Sequence, residues 1–245
     1  MGTLGRDGES YRARLRDLGL ATDGVRVIDD AFTAQAFIIT DHDDNQITAF
    51  HPGAMNHSQV NRVADMRDIR LGIVSPDGKE GMQQHAREFA ALRIPFIFDP
   101  GQGLPLFTGD ELAEIIGHAS YLTVNDYEAR LLSERTGWSI ADIAAQVDAL
   151  VITMGGEGSI IHAGDATYAI PAVRPTAIVD PTGCGDAYRA GLLYAIAHHW
   201  DWQAAGNLAS VMGSIKIASR GGQNHALDTD TIATRYRDAF GESPW

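Results

Sequence analysis

Cysteine is almost absent from this sequence, since Cys184 is the single one among 245 residues. One cysteine excludes an internal disulfide bond and any metal site built from Cys-x-x-Cys pairs. The nine histidines show neither the His-x-His nor the His-Glu-x-x-His spacing. These common kinds of metal site are therefore excluded.

Basic residues and long apolar runs are also scarce. There are 19 Lys and Arg against 32 Asp and Glu, a formal net charge of −13. This balance argues against nucleic acid as the main partner, because duplex binding depends on neutralising phosphates. No apolar run approaches the ~20 residues of a membrane span, and the segment Met1–Gly5 does not resemble the start of a secretory signal peptide. We therefore expect a cytoplasmic protein that binds neither nucleic acid nor a membrane.

The sequence has the composition and the rhythm of a globular α/β protein. Hydrophobic residues make up 44% of the chain, too many for a disordered protein. After Gly53, short apolar strands alternate with amphipathic helices, which predicts parallel β-α-β units with helices on both faces of a sheet. The predicted strands are 24–28, 33–41, 45–50, 69–75, 95–99, 121–124, 150–153 and 177–179, with a further hairpin around 164–165. The predicted helices are 7–18, 79–92, 109–118, 126–135, 185–199, 201–219 and 228–240.

An antiparallel pair of strands within 33–50 precedes this pattern. Apolar and polar residues alternate there with a period of two, and the polar sequence 41–45 suits a hairpin turn. One face of such a hairpin is expected to meet water. Residues 33–50 are therefore predicted to stand off the main sheet.

The most informative segment is the glycine-rich turn that follows the predicted strand 177–179 and leads into a long apolar helix. This order places several backbone N–H groups at a helix N-terminus, where they form an anion site. Glycines let the backbone approach a phosphate without interference from a Cβ atom. A capped helix start with glycines for tight packing is the alternative. The flanking carboxylates of Asp180 and Asp186 weigh against that alternative.

The stretch Asp180–Leu193 resembles the C-terminal signature of the ribokinase-like (PfkB) family of carbohydrate and nucleoside kinases. The resemblance implies a three-layer α/β/α fold with a mostly parallel central sheet and a small β lid. It also implies transfer of the γ-phosphoryl group of ATP to a hydroxymethyl group. In that reaction Asp186 matches the catalytic base, and the amides of Gly183, Cys184 and Gly185 match the anion hole that stabilises a loose transition state.

The same turn carries two further implications of the resemblance. Family members often bind a monovalent cation, K⁺, at the position of Asp180 together with the carbonyl group of Thr182. Cys184 stands where many members have alanine. A small residue in a tight turn is the simpler interpretation of Cys184, against a thiol activated by the anion hole.

Two more motifs occur in the order that the family has them. Asn125-Asp126-Tyr127-Glu128 suits a helix cap and matches the family's Asn-x-x-Glu motif, which implies that Asn125 binds the nucleotide and that Asn125 and Glu128 organise hydrated Mg²⁺. The segment 153–158 is either a plain turn into a hairpin or the family's nucleotide loop. The second interpretation implies ATP contacts from Thr153, Gly155 and Gly158.

Near the C-terminus the family places small residues where adenine lies against a helix. The resemblance implies that Ser210 and Gly213 make these contacts. Lys216 and Arg220, in the same region, are interpreted as ordinary solvated charges.

Within the family the sequence is most similar to bacterial adenosine-kinase-like members, over segments 34–36, 45–55, 98–107 and 180–194. This similarity implies an adenosine-like nucleoside as acceptor at its 5′-hydroxymethyl group. The hairpin 33–50 would be part of the lid, with Phe50 either stacked on the base or buried in the lid. A sugar kinase, like a ribokinase or a fructokinase, is the alternative, although Asp99-Pro100 is not followed by the Asn and Arg of many sugar kinases. A non-catalytic nucleotide-binding remnant is the second alternative.

The beginning of the sequence differs from the family pattern. Members begin with a central strand, further lid strands, a Gly-Gly motif and a helix, whereas Met1–Gly5 aligns with the end of an internal strand. We therefore expect one kinase domain over residues 1–245, truncated at its N-terminus, with part of the lid and much of the acceptor site missing. A monomer or a homodimer is expected.

Overall fold

The computed structural model describes residues 1–40 and 46–245, so the predicted hairpin turn at 41–45 lies outside the described residues. Within these residues the strands are β1 Gly2–Gly5, β2 Val25–Ile28, β3 Gln35–Thr40, β4 Gln46–His51, β5 Gly72–Val74, β6 Phe96–Phe98, β7 Tyr121–Asn125, β8 Ala149–Thr153, β9 Ser159–Ala163 and β10 Ala166–Ile170. The α-helices are α1 Glu9–Asp17, α2 Lys79–Ala91, α3 Gly109–His118, α4 Asp126–Thr136, α5 Ile140–Ala144, α6 Cys184–Ala197, α7 Trp202–Lys216 and α8 Thr229–Phe240. None of these described helices is long and apolar enough to cross a membrane.

The central sheet has six strands in the order β10-β9-β8-β7-β6-β5. Strands β5 to β8 are parallel, and β9 and β10 are added antiparallel. Helices α2, α3 and α4 contribute to one hydrophobic core, and α6, α7 and α8 contribute to another. Strand β6 lies between the two cores: Phe96 and Phe98 point into the first and Ile97 into the second, because successive side chains of a strand face opposite ways. The predicted three-layer α/β/α fold is confirmed.

Side-chain caps determine where α3 and α4 begin. The Thr108 side chain accepts from the N–H of Glu111, whose carboxylate accepts from the N–H of Thr108, and Asn125 and Glu128 repeat this arrangement at α4. Each capping side chain typically contributes ~1 kcal/mol. The predicted helices 109–118 and 126–135 accordingly match α3 and α4 to within a residue.

Helices α6 and α7 pack backbone against backbone. A Cβ atom on Gly191 of α6 would lie 2.7 Å from the Cα atom of Ala209 in α7, so a side chain does not fit there. Farther along, a Cβ atom on Gly213 would lie 3.8 Å from the carbonyl oxygen of Cys184. The start of α6 therefore lies beside the last part of α7.

Two small sheets are separate from the central one. Strand β1 pairs in parallel with β2, and β3 pairs antiparallel with β4 in a register that sets Phe37 opposite Ala49 and Ile39 opposite Ile47. The predicted pairing of the strands within 33–50 is confirmed for the described residues. Ile39 and Ile47 are 71% and 74% exposed, so apolar side chains of this hairpin face open space.

The predicted strand at 177–179 is wrong. The segment between β10 and α6 is irregular and mostly exposed. The N–H groups of Val179 and Asp180 both donate to the carbonyl oxygen of Ile217, at 2.9 and 3.1 Å. Pro175 and Pro181 bracket the segment and have no N–H group to donate to a neighbouring strand. An apolar triplet is therefore held against the end of α7 instead of joining the sheet.

Candidate active site

The glycine-rich turn is closed by a backbone hydrogen bond. The N–H of Cys184 donates to the carbonyl oxygen of Pro181 at 3.0 Å. Gly183, the third residue of this turn, has φ 83° and ψ 6°, the conformation that a type II turn requires and that glycine adopts without strain. A Cβ atom at Gly183 would also lie 3.1 Å from the carbonyl oxygen of Gly222. Both backbone angle and space therefore favour glycine.

The first turn of α6 presents the amides that were predicted to bind an anion. The N–H of Cys184 is used inside the turn. Within the part of the chain that the structure describes, the N–H groups of Gly183 and Gly185 make no hydrogen bond, as is usual at a helix N-terminus. The helix dipole adds partial positive charge at the same end. The structure thus offers two of the three predicted amides.

Asp186 lies in this first turn and is accessible. Its side chain is 78% exposed, and Oδ1 accepts a hydrogen bond from Nη2 of Arg189 at 2.7 Å. Burial raises the pKa of the nearby Cys184 thiol. A raised thiol pKa favours the interpretation of Cys184 as a small packing residue, because the thiolate is the reactive form.

Arg189 also contacts a buried carboxylate that the sequence interpretation left outside the site. Its Nε lies 2.9 Å from Oδ2 of Asp99, which directly follows β6 and is 1% exposed. Burial raises the pKa of Asp99 to about 7. The Arg189 charge opposes this shift, whereas the charges of Glu128 and Asp186 add to it. Three carboxylates and one guanidinium therefore share the region between the ends of β6 and β7 and the start of α6.

Asn125 and Glu128 form the cap of α4 described above, with distances of 2.7 and 2.8 Å. Strand β7 carries them to the carboxyl end of the parallel sheet, next to the end of β6, where ligands of open α/β sheets usually bind. The cap uses Oε2 of Glu128 and leaves the second carboxylate oxygen without a partner among the described residues. The helix cap and a role beside a ligand are therefore compatible.

The predicted nucleotide loop begins beside Asn125. Strand register pairs Asn125 of β7 with Thr153 of β8. Gly155 and Gly158 have φ 56° and 94°, and a Cβ atom at Gly158 would lie 2.1 Å from the carbonyl oxygen of Ile170. The tight turn after β8 therefore requires glycine, and it meets the same edge of the sheet as Asn125 and Asp99.

Asp180 is held by the two loops that meet under the turn. Its carboxylate accepts from the N–H of Thr182 at 2.9 Å and from the N–H of Gly221 at 2.7 Å. These backbone hydrogen bonds lower the pKa of Asp180 to about 2. Its carbonyl oxygen accepts from Nζ of Lys216 at 2.9 Å. The carboxylate that was predicted to bind a cation therefore accepts hydrogen bonds from two backbone N–H groups of the protein.

The interpretation of Lys216 as a solvated charge is wrong. The residue is 0% exposed, and its ammonium group donates to the carbonyl oxygens of Asp180 and Ser219. The physical reason is its place on the packed face of α7, seven residues after the buried Ala209. Arg220 is exposed, as expected.

The residues predicted to contact adenine or the acceptor base differ in how exposed they are to a ligand. Ser210 is 9% exposed, and its hydroxyl group donates to the carbonyl oxygen of Pro171 and accepts from the N–H of Val173. Ser210 therefore holds the chain after β10. Gly213 faces the start of α6, and Phe50 is 53% exposed on β4.

Two surface cavities lie away from this cluster. An open cavity of about 470 Å³ lies along α2 between Arg62 and Arg87, and none of its lining residues belongs to the predicted site. A smaller apolar one of about 180 Å³ lies between α6, α7 and α8. We place the candidate site at the glycine turn on chemical grounds, because fixed amides and carboxylates converge there.

The chain is similar to known proteins. A model of the pfkB family of carbohydrate kinases matches residues 1–230. A nucleoside kinase of Methanocaldococcus jannaschii is 30% identical over 225 residues, which are 92% of this chain and 74% of that protein. A ribokinase of Bacillus subtilis is 28% identical over 230 residues, which are 91% of this chain and 76% of that protein.

Solved structures extend the comparison. The nucleoside kinase of Burkholderia thailandensis in complex with inosine is 54% identical and superimposes with a TM-score of 0.96, over 99% of this chain and 80% of that chain. The structure of the same nucleoside kinase with ADP-inosine also has a TM-score of 0.96, over 100% and 77% of the two chains.

Proposed function

This chain belongs to the pfkB family of carbohydrate kinases, and we propose that it transfers the γ-phosphoryl group of ATP to the 5′-hydroxymethyl group of a nucleoside. The observation that carries the proposal is the junction between the glycine turn and α6. An exposed carboxylate, Asp186, stands there within one helical turn of the amides of Gly183 and Gly185, which make no hydrogen bond to any described residue. One helix end thus combines a base with an anion site.

The chemistry assigns these groups complementary tasks. The acceptor hydroxyl group lies against Asp186, which takes its proton as the oxygen attacks the γ-phosphorus and the bond to ADP breaks. Because the transition state is loose, the proton leaves late and a carboxylate is a sufficient base. The amides of Gly183 and Gly185 meet the charge on the equatorial oxygens, and one such fixed donor is typically worth ~10²–10³ in rate.

Arg189 is proposed as a positioning residue. It contacts Asp186 and Asp99 at the same time, and Asp99 is fixed by burial at the end of β6. A guanidinium that is held on one side orients the exposed carboxylate on the other side. Arg189 would thus keep Asp186 directed without touching the acceptor.

Asn125 and Glu128 are proposed to serve Mg²⁺ through its water ligands. The described residues contain no cluster of three carboxylate, histidine or cysteine side chains that could hold a metal ion directly. The free carboxylate oxygen of Glu128 fits an outer-sphere role, since Mg²⁺ keeps several waters when it binds with substrate phosphates. When bound, the ion supplies neutralisation of phosphate charge.

The nucleotide is proposed to lie along the carboxyl edge of the sheet. Thr153, Gly155 and Gly158 line its approach from β8, and the small residue Gly213 stands where α7 meets the start of α6. Ser210 would support this wall through its backbone hydrogen bonds rather than contact adenine. The β3–β4 hairpin, with Phe50 exposed, is proposed as the lid of one kinase unit.

The acceptor is proposed to be a purine nucleoside. The sequence favours an adenosine-like acceptor, and the Burkholderia thailandensis relative was solved with inosine. The ribokinase of Bacillus subtilis among the relatives keeps a sugar kinase as the second candidate.

A substrate panel tests the proposal. ATP consumption is measured with adenosine, inosine, guanosine, ribose and fructose, and the products are identified by mass. We expect a nucleoside 5′-phosphate and a kcat/KM for one purine nucleoside at least ~10-fold above those for both free sugars. The Asp186→Asn variant is the control for contaminating kinases. Faster turnover of ribose or fructose than of every nucleoside would replace the nucleoside by a sugar.

A further inference from the structure

Lys216 is an unusual residue because its charge is enclosed. It is 0% exposed, whereas lysine is almost never fully buried unless it is paired. No carboxylate oxygen lies within ion-pair distance of it among the described residues. Its ammonium group is paired instead with two backbone carbonyl oxygens, those of Asp180 at 2.9 Å and Ser219 at 3.1 Å.

These two carbonyl oxygens come from the two loops that meet beneath the anion turn. Asp180 directly precedes the glycine turn, and Ser219 lies in the loop after α7. The Asp180 carboxylate ties the same loops together through the N–H of Gly221. A Cβ atom on Gly183 would lie 3.5 Å from Cε of Lys216. The buried charge thus lies directly against the turn whose amides are proposed to bind phosphate.

Converging carbonyl oxygens are the ligands that a potassium ion takes in place of water. This arrangement does not fit such an ion here, because the ammonium group already lies within hydrogen-bond distance of both oxygens. An ammonium group and a monovalent metal ion carry the same charge. Because the lysine side chain is covalently attached to α7, its charge occupies this position without a binding equilibrium.

We propose that the Lys216 ammonium group is a built-in monovalent cation that joins residues 180–183 to residues 219–222 and makes the chain independent of K⁺. As far as it concerns turnover, this inference rests on the proposed phosphoryl transfer. Two consequences follow. Activity should not respond to monovalent metal ions, and removal of the lysine side chain should leave a carbonyl-lined space that accepts one.

The wild-type protein provides the first test. Turnover and the unfolding temperature are measured from 0 to about 100 mM KCl, with choline chloride holding the ionic strength constant. We expect both to change little, less than ~2-fold in kcat and less than ~1 °C in unfolding temperature. A saturable activation by K⁺ of ~10-fold or more would overturn the proposal.

Matched variants provide the second test. Lys216→Ala vacates the space, Lys216→Met fills it without charge, and Arg220→Ala removes an exposed charge from the same loop. In choline chloride, Lys216→Ala should lose ~10-fold or more in kcat, and KCl or ammonium chloride should restore it, while Lys216→Met should not be restored. Ion binding should also raise the unfolding temperature of Lys216→Ala by about 3 °C, whereas Arg220→Ala should behave as wild type.

The unfolding measurements separate this inference from the proposed function. These measurements do not require turnover. They therefore test the role of Lys216 as a built-in cation even if no nucleoside is phosphorylated. If Lys216→Ala does not fold, the wild-type salt titration still decides. A Lys216→Ala protein that folds, retains full activity in choline chloride and shows no ion-dependent stabilisation would refute the role of Lys216.

Discussion

Replacement of Asp99 by asparagine should change how stability depends on pH. Asp99 is 1% exposed, and burial raises its pKa from the ordinary 3.8 to about 7. Between these two values the folded protein retains a proton that the unfolded chain has lost. The free energy of unfolding therefore falls as pH rises through this window and levels off above about pH 7.

The magnitude follows from the two pKa values. A full unit of difference corresponds to 1.36 kcal/mol, and the folded state is half titrated at about pH 7. Between pH 5 and pH 7 the Asp99 carboxyl group should lower the free energy of unfolding by about 2 kcal/mol. Asparagine has the same shape and does not titrate. The difference between the wild type and Asp99→Asn should therefore shift by about 2 kcal/mol in favour of the variant over this range.

Urea-induced unfolding at both pH values measures this shift. Every other titrating group contributes equally to the two proteins, so their difference isolates Asp99. The charge of Arg189 opposes the rise and is already contained in the pKa of about 7, so it adds no separate pH dependence. A difference that stays the same at pH 5 and pH 7 would show that Asp99 is not held protonated by burial, and the reasoning about its environment would fail.

Three further predictions concern the proposed reaction. Asp186→Asn should lower kcat by ~10²–10⁴, the usual worth of a general base, and leave ATP affinity measured by calorimetry within a few fold; unchanged turnover would remove Asp186 from the mechanism. Gly183→Val should abolish most turnover, because φ 83° and a Cβ atom 3.1 Å from the carbonyl oxygen of Gly222 are both unfavourable, and circular dichroism of the variant separates loss of catalysis from loss of fold. Arg189→Met should lower kcat with little change in KM for ATP, and an unchanged kcat would contradict a positioning role. The same variant should raise the pKa of Asp99 further, which a 13C chemical-shift titration of the aspartate carboxyl groups would detect.

The fold was largely predictable because its signals are local. Buried parallel strands are short apolar runs, and amphipathic helices follow β5, β6 and β7 in the chain. The helices after β6 and β7 begin at side-chain caps, Thr108 and Asn125. The prediction of a strand at 177–179 was wrong because strand formation depends on a partner elsewhere in the chain. An apolar triplet forms a strand only beside a partner, and here the N–H groups of Val179 and the following Asp180 donate to the carbonyl oxygen of Ile217 at the end of a helix.

The candidate site was predictable where it lies within one short segment. Asp186 and its glycine turn could be proposed as a site because turn and helix start are adjacent in the sequence. The pairs Arg189–Asp99 and Lys216–Asp180 join distant segments, so neither local pattern nor composition indicates them. For Lys216 one signal was present: it lies on the same helical face as Ala205 and Ala209, which are both buried.

The crossing of α6 and α7 determines which parts of the molecule can move. At Gly191 the two helices touch through their backbones, and helices packed this closely do not slide without a steric clash. The glycine turn leads directly into α6, and Lys216 is the last residue of α7. The end of the site that is proposed to bind phosphate is therefore held in a fixed position by the two helices. We expect any closure over an acceptor to occur by rotation of the β3–β4 hairpin toward this fixed end, with the hinge in the segments that flank the hairpin.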